Sequence, residues 1–373
     1  MKRVVVKVGT STLSTPEGCL NREIIARLSD EIAAAREDGI EIALVTSGAV
    51  GAGSDRLRIQ RPRAIPQKQA AAAVGQGILM GVYASCFDER GLTAAQILLT
   101  RQDVADRARY TNARNTFDAV FRYGAVPVVN ENDSVAVDEI RFGDNDTLAA
   151  MVALIVDADL VVILSDVPGL HDPAAEPRTT ISCIPEVTGA VENMARPARS
   201  GSGTGGMITK LRAGRILTRA GIAMIIAYGG ESENLRGAIR RWVCWERENV
   251  DPGEPGTLFL PAPRRLQGRK RWIAFGSRAR GALVIHPRAK SALLEDGRSL
   301  LAAGVMEATG PFQAGDLVRI LDSEGREVGR GLVNFSLEEV RMICGRQSGE
   351  LNRLLGREAT GEVVHRDNLV IGL

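Results

Sequence analysis

The sequence predicts an α/β fold in which a mainly parallel sheet is covered on both faces by helices, followed by a small mixed, barrel-like domain. Three observations carry this reading. Short, nearly all-apolar runs alternate with helix-like segments through the first 260 residues, the pattern of strands buried on both faces. Beyond about residue 273 the pattern changes to short strands and turns. Charge changes with it: residues 1–263 hold 29 Lys+Arg against 32 Asp+Glu, whereas residues 264–373 hold 18 against 13. Two units with different partners follow from that asymmetry.

The elements justify themselves in chain order. Arg3 to Val8 is a β-branched run. Asn21 can cap a helix that places Ile24, Leu28, Ile32 and Ala35 near one face and ends at Gly39. Ile40 to Val45 is the next apolar strand, and Thr93 to Leu98, Ala125 to Val129, Asp159 to Leu164 and Ile222 to Ala227 continue the series. Helix-like stretches between them include the alanine-rich Gln67 to Ala84 and Tyr110 to Tyr123. The expected division is a first domain over 1–260, a basic linker over 261–273 and a second domain over 274–373. In the second, Gly281 to Ile285, Gly304 to Ala308, Asp316 to Leu321, Glu327 to Val333 and Val370-Ile371 read as strands, with helices near Ala289 to Glu295 and Leu337 to Ile343.

Composition removes several function classes. The five cysteines are odd in number, scattered and never paired as CxxC, and only three histidines occur, none near another. A disulfide framework, a zinc site and a histidine-rich metal centre are therefore poor readings. Apolar stretches such as Ala149 to Val156 fall short of the ~20 residues a membrane span needs, and Met1-Lys2-Arg3 leads directly into a strand rather than a signal core. The expectation is a soluble, cytoplasmic protein with no membrane partner, whose chemistry rests on Lys, Asp, Asn and backbone amides.

Open parallel sheets gather ligands where strands end and helices begin, and four such places stand out. Lys7 lies in an apolar strand just before Gly9. It is either a strand-end lysine reaching solvent or a lysine that meets an anion, since a buried ammonium without a partner is costly. Thr46-Ser47-Gly48-Ala49, continuing to Gly53, reads as a turn of small residues that could bind an anionic group; it is neither a Walker A nor a GxGxxG motif, and a plain tight turn is an equal reading. Asn130-Glu131-Asn132-Asp133 and then Gly143-Asp144-Asn145-Asp146 precede an apolar helix from Thr147. Capping accounts for one or two of these acidic residues, and the remainder suit an ammonium group, a Mg²⁺ ion or a lysine pair. Gly201 to Gly206 and then Met207-Ile208-Thr209-Lys210 put glycines before a lysine-bearing helix, either a flexible linker or, since linkers rarely end in such a helix, an arrangement that exposes amides to phosphate. Ser165-Asp166-Val167-Pro168-Gly169-Leu170, after another strand, would add a nucleotide-side loop, although alone the segment reads equally as a turn.

These motifs, in this order, resemble the amino acid kinase family, and within it the kinases that act on the side-chain carboxylate of glutamate. The resemblance spans essentially the whole chain, because residues from about Arg271 onward are similar to a PUA domain. It implies a three-layer αβα sandwich, ATP with Mg²⁺ carried on the nucleotide rather than on a protein metal site, L-glutamate as acceptor, and L-glutamyl 5-phosphate as product in the first step of proline biosynthesis. It also implies proline as a feedback inhibitor and a homo-oligomer. By the same resemblance, Lys7 and Lys210 stabilise the transferring phosphoryl group and Asp146 orients both. Ser47, Asp133, Asn145 and Asp144 belong to the substrate side. Lys7, Ser165, Asp166, Thr204, Gly205, Gly206, Met207, Ile208, Thr209 and Lys210 belong to the ATP side. A side-chain carboxylate, ordinarily near pKa 4.3, is already ionised at neutral pH, so the reaction needs positioning and charge neutralisation more than a general base. A kinase for acetylglutamate, aspartate or a nucleoside monophosphate is the nearest competing enzyme. RNA binding by the PUA-like domain is the competing reading from another class.

Overall fold

The computed structural model describes residues 1–15, 19–59, 62–135, 144–173, 175, 179–195, 205–263, 265–266, 268–276 and 279–372. The chain divides into two units, Met1–Arg265 and Leu266–Leu373.

In the first unit the strands are β1 (Arg3–Val8), β2 (Glu41–Val45), β3 (Ala94–Leu99), β4 (Val126–Glu131), β5 (Leu160–Ser165), β6 (Cys183–Ile184), β7 (Ala223–Tyr228) and β8 (Thr257–Phe259). The helices are α1 (Thr10–Leu13), α2 (Arg22–Glu37), α3 (Ala49–Leu57), α4 (Ile65–Asp88), α5 (Arg101–Ala105), α6 (Arg107–Arg122), α7 (Asn145–Val156), α8 (Gly189–Met194), α9 (Gly205–Arg219) and α10 (Asn234–Glu248). Among the described residues the strands form one eight-stranded sheet in the order β3-β4-β2-β1-β5-β7-β8-β6. Every pairing in it is parallel except β7 with β8.

Alternation along β1 decides what each face receives. Val4, Val6 and Val8 enter one core with Ile25, Leu28 and Ile32 of α2, Leu79 and Phe87 of α4, and Ile239 and Trp242 of α10. Val5 and Lys7 point to the opposite face, where α7 packs on β1 and on α9. The sheet is thus sandwiched between helices on both sides. Asn21 caps α2 as its sequence position indicates, accepting a hydrogen bond from Ile24 N.

Two expectations need correction. The small-residue segment Thr46 to Gly53 is not simply a turn: only Thr46, Ser47 and Gly48 lie between β2 and α3, and the rest is helical. Gly48 takes φ +100° at the start of α3, a backbone setting that glycine adopts without strain. The glycines further on serve helix packing, since a Cβ on Gly53 would collide with the Ala71 carbonyl and one on Gly75 with the Ala49 carbonyl. The second correction concerns apolar length. Helix α4, read as alanine-rich from Gln67 to Ala84, runs 24 residues and is by length and composition long and apolar enough to cross a membrane. Its Leu79, Tyr83 and Phe87 are buried in the sheet-facing core, while Ile65, Val74 and Ile78 are exposed, so the core accounts for part of its apolar character.

In the second unit the helices are α11 (Gly268–Arg271), α12 (Pro287–Leu294), α13 (Leu337–Ile343) and α14 (Ser348–Leu355). The strands are β9 (Gly281–Ile285), β10 (Leu300–Leu301), β11 (Val305–Thr309), β12 (Leu317–Leu321), β13 (Glu327–Leu332), β14 (Glu362–Val364) and β15 (Leu369–Ile371). A five-stranded mixed sheet, β11-β9-β12-β13-β15, stands beside a β10-β14 pair. Residues 268–273, read as the end of a linker from their charge, include the short helix α11: Arg271 is buried and donates to the Leu266 carbonyl at 3.1 Å, and Trp272 and Ile273 are buried beside it in sequence. The charged run hides a guanidinium that its neighbours' charges disguise.

Candidate functional site

Strands β1, β2, β4 and β5 all end on the same side of the sheet, and the helices that follow begin there. Lys7 is the next-to-last residue of β1 and is 7% exposed. Its ammonium lies 2.7 Å from Asp146 Oδ1. Asp146 is the second residue of α7, and its other oxygen lies 3.7 Å from the Lys210 ammonium and accepts a 2.6 Å hydrogen bond from Thr209 Oγ1. Lys210, in the second turn of α9, is 8% exposed and also donates to the Gly206 carbonyl at 3.1 Å. One buried carboxylate therefore holds two buried ammonium groups. Burial pushes the Asp146 carboxyl up, but Lys7 and then Lys210 outweigh it and hold the group below the ordinary carboxylate value. The trio keeps one excess positive charge in a place sheltered from water, where an added anion is strongly favoured. Glycines flank both ammonium groups: a Cβ at Gly9 would lie 3.4 Å from Lys7 Nζ, and one at Gly206 3.6 Å from Lys210 Nζ. Side-chain bulk is missing where a ligand would approach.

The first residues of α7 diverge because successive helical positions turn by about 100°. Asp144 caps the helix, accepting from Thr147 N at 2.6 Å and from Thr147 Oγ1 at 3.1 Å. Burial pushes its carboxyl up, a shift that these bonds oppose and the charge of Asp146 reinforces. Asn145 turns toward β2 and β4, donating to the Thr46 carbonyl at 2.6 Å, Ser47 Oγ at 2.7 Å and Asn130 Oδ1 at 3.2 Å. Asn130 Oδ1 also accepts from Glu131 N, so its amide nitrogen is the end that donates to Gln76 Oε1 at 2.9 Å on α4. Asp146 alone turns to the lysines. Three neighbouring residues thus serve a cap, an amide network and an ion cluster.

The amide network borders a cavity of about 310 Å³ whose lining includes Ala49, Gln76, Gln96, Glu131 and Asp133. That volume suits a small metabolite. Asp133 is half-buried in its wall. The structure therefore brings Ser47, Asn145 and Asp133 to the amide-lined side, and Lys7, Asp146, Thr209 and Lys210 to the charged side. Ser165 and Asp166 stand at the end of β5, bonded to each other at 3.0 Å, with no direct bond to the lysine trio among the described contacts. Gly205, Gly206, Met207 and Ile208 form the first turn of α9, whose backbone N–H groups have no intrahelical partner. Thr204 lies outside the described residues, as do Gly143 and Gly201 to Gly203. Among the described residues no cluster of three or more His, Cys, Asp or Glu side chains could hold a metal ion. Both Asp146 oxygens are already engaged by cations and a hydroxyl, which leaves that carboxylate poorly suited to ligate one.

Sequence reasoning missed the contribution of α4. Gln76 is a lone polar side chain among alanines and glycines, which was the available signal. Tyr83 was less visible: its hydroxyl is fully buried and pairs with Thr46 Oγ1 at 2.9 Å, bracing the turn after β2.

Residues 2–228 match the amino acid kinase family and residues 281–355 match the PUA domain. A protein of Moorella thermoacetica described as glutamate 5-kinase is 44% identical over 99% of this chain and 96% of its own length. Another glutamate 5-kinase, from Trichlorobacter lovleyi, is 45% identical over 100% of this chain and 97% of its own. A third, from Caldanaerobacter subterraneus, is 44% identical over 99% and 97%. With a family match over most of its length and relatives that align from end to end, the chain belongs to the amino acid kinase family and carries a C-terminal PUA domain.

Proposed function

We propose that this chain transfers the γ-phosphoryl group of ATP to the side-chain carboxylate of L-glutamate, releasing ADP and L-glutamyl 5-phosphate, as the first step of proline biosynthesis in the cytoplasm. The observation that carries the reading is the buried Lys7–Asp146–Lys210 trio, in which Asp146 follows Asn145, whose amide network runs through Asn130 to Gln76 in the cavity wall. The names and end-to-end similarity of the relatives support it.

The chemistry sets the division of labour. A carboxylate oxygen attacks the γ-phosphorus, and the bond to the bridging oxygen breaks with its electron pair leaving on ADP. Both reactants are anions, so the protein's task is to bring them together and offset charge. Lys7 and Lys210 stabilise the oxygens of the transferring group, and Asp146 keeps the two ammonium groups aimed at one point. Ser47 and Asn145 position the acceptor carboxylate, and Asp133 meets the α-ammonium group. Asp144 acts through α7, fixing the end of the helix that carries Asn145 and Asp146. The first turn of α9, with Ser165 and Asp166 at the end of β5, receives the nucleotide, and the segment holding Thr204 joins it. The fit to a polyphosphate is the pair of buried ammonium groups next to exposed helix amides. Mg²⁺ arrives on the triphosphate and offsets its charge.

Proline is proposed as an end-product inhibitor and the working form as a homo-oligomer, both from the family resemblance. RNA binding is the weaker reading: in the second unit Arg280, Lys290, Arg319, Arg326, Arg330 and Arg357 each pair with a carboxylate, which reduces the positive charge open to phosphates. The test is ADP formation with a panel of acids. Glutamate should be preferred over acetylglutamate and aspartate, with proline inhibiting; preference for another acid would move the proposal to that substrate.

A further inference from the structure

We infer that Thr257 is a positioning residue for the nucleotide, acting on the loop after β5 from the sheet's antiparallel strand. The inference rests on reading Ser165 to Gly169 as the nucleotide-side loop. Thr257 opens β8 and is wholly buried. Its hydroxyl oxygen accepts a 2.8 Å hydrogen bond from Leu170 N, where that loop ends. The approach is close: a Cβ on Gly169 would stand 2.5 Å from Thr257 Oγ1 and 2.6 Å from Thr180 Cγ2. Leu170 is then held on its other side, its carbonyl accepting from Ile181 N at 2.8 Å. The far end of the loop is thus fixed by one buried hydroxyl and one backbone bond, while its near end is fixed by β5.

Thr257 is itself anchored. Arg241 of α10 is 1% exposed and spends its guanidinium on the segment just before Thr257. It donates to the Pro255 and Gly256 carbonyls at 2.8 and 2.9 Å, to the Asp251 carboxylate at 2.6 and 2.8 Å, and to Ser182 O and Oγ at 2.8 Å each. A planar fork with every direction occupied cannot shift without leaving a buried donor unpaired. The geometry therefore runs from Arg241 through residues 255–256 to Thr257, Leu170 and the loop. None of these contacts reaches the Lys7–Asp146–Lys210 trio or the amide-lined cavity, so the effect is confined to the nucleotide side.

The experiment measures ADP binding by calorimetry and steady-state kinetics for wild type, Thr257→Val, Thr257→Ser and Gly169→Ala in the full chain. Valine keeps the shape and removes the acceptor; if the bond is needed only for the nucleotide-receiving form of the loop, its loss weakens binding by up to about fivefold. The expected result is a KM for ATP and a Kd for ADP raised by up to about fivefold by Thr257→Val, with kcat and the KM for glutamate within about twofold. Thr257→Ser should restore wild-type values. Gly169→Ala keeps the hydroxyl but pushes the loop away from it, so it should weaken ADP by at least as much, and it carries the test if the valine variant fails to fold. Wild-type protein that binds no ADP would sink the nucleotide reading itself. Wild type that binds ADP, with folded Thr257→Val and Gly169→Ala variants of unchanged affinity, would overturn the role of Thr257 alone.

Discussion

Asp146→Asn is the substitution whose consequences the structure specifies most fully. The side chain keeps its shape and loses its charge, and one of its two oxygens becomes a donor. The one remaining oxygen can serve Lys7 or Thr209 but not both, so either Lys7 loses a 2.7 Å partner or Thr209 a 2.6 Å acceptor, and Lys7 and Lys210 both lose their counter-charge. Two ammonium groups, 7% and 8% exposed, are left without a shared counter-charge. Removing one partner of a buried ion pair costs about 3–5 kcal/mol, and in a unit of this size that corresponds to a fall in Tm of roughly 5–9 °C. Catalysis should suffer separately, because both lysines lose their common aim; a loss of about 10²–10³ in kcat is the usual size for one preorganised electrostatic contact. The pH dependence gives a further signature. The native carboxyl titrates below its ordinary value, so its stabilisation is complete above about pH 4 and is lost as pH falls through the lowered native value. The asparagine variant lacks that acid limb. Melting curves across pH 2.5–7, with initial rates at pH 7, should show a Tm gap that is widest near neutrality and narrows in acid. A variant with wild-type Tm and kcat at neutral pH would refute the idea that this carboxylate organises the lysines.

Three other outcomes follow from the same geometry. Lys7→Ala and Lys210→Ala should each lower kcat by at least 10², and the double variant should be less impaired than the product of the singles, because both act on one phosphoryl group; multiplicative losses would show that they act apart. Asp133→Ala should raise the KM for glutamate by roughly tenfold or more, the size of a lost charged hydrogen bond, with the KM for ATP nearly unchanged; equal effects on both would move Asp133 to the nucleotide side. Truncation after Arg265, at the boundary between the units, should leave a folded kinase with substantial activity, checked by circular dichroism and ADP release; a folded but inactive product would assign the second unit a part in the site.

The sequence exposed six of the eight strands of the sheet because each is a short apolar run between helix signals, whereas β6 and β8, two and three residues long, were too short to show one. Lys7 was visible for the same reason, a charge where only valines precede it. What it touches was not visible, because its partner is 139 positions away along the chain and depends on which face of β1 receives α7. The segment after β2 was misread since small residues suit a tight turn and a close helix crossing equally well. Only the packing of Gly53 and Gly75 against the opposing helix backbones distinguishes them. The cavity wall on α4 stayed hidden because alanines and glycines mark a helix without showing which side is lined. Arg241 and Arg271 were hidden by company: each sits in a run of other arginines, and burial selects one from each run.

The most direct measurement of the central claim is chemical trapping of the product. An acyl phosphate reacts with hydroxylamine, which displaces phosphate and leaves a hydroxamate at the activated carboxyl. Incubation of the full chain with MgATP, L-glutamate and hydroxylamine should yield the side-chain hydroxamate of glutamate, one per ADP formed, identified by mass spectrometry and its fragmentation pattern. The yield should fall to background with the Lys7→Ala/Lys210→Ala variant. ADP release without any glutamate hydroxamate, or a hydroxamate at the α-carboxyl, would contradict transfer to the side-chain carboxylate.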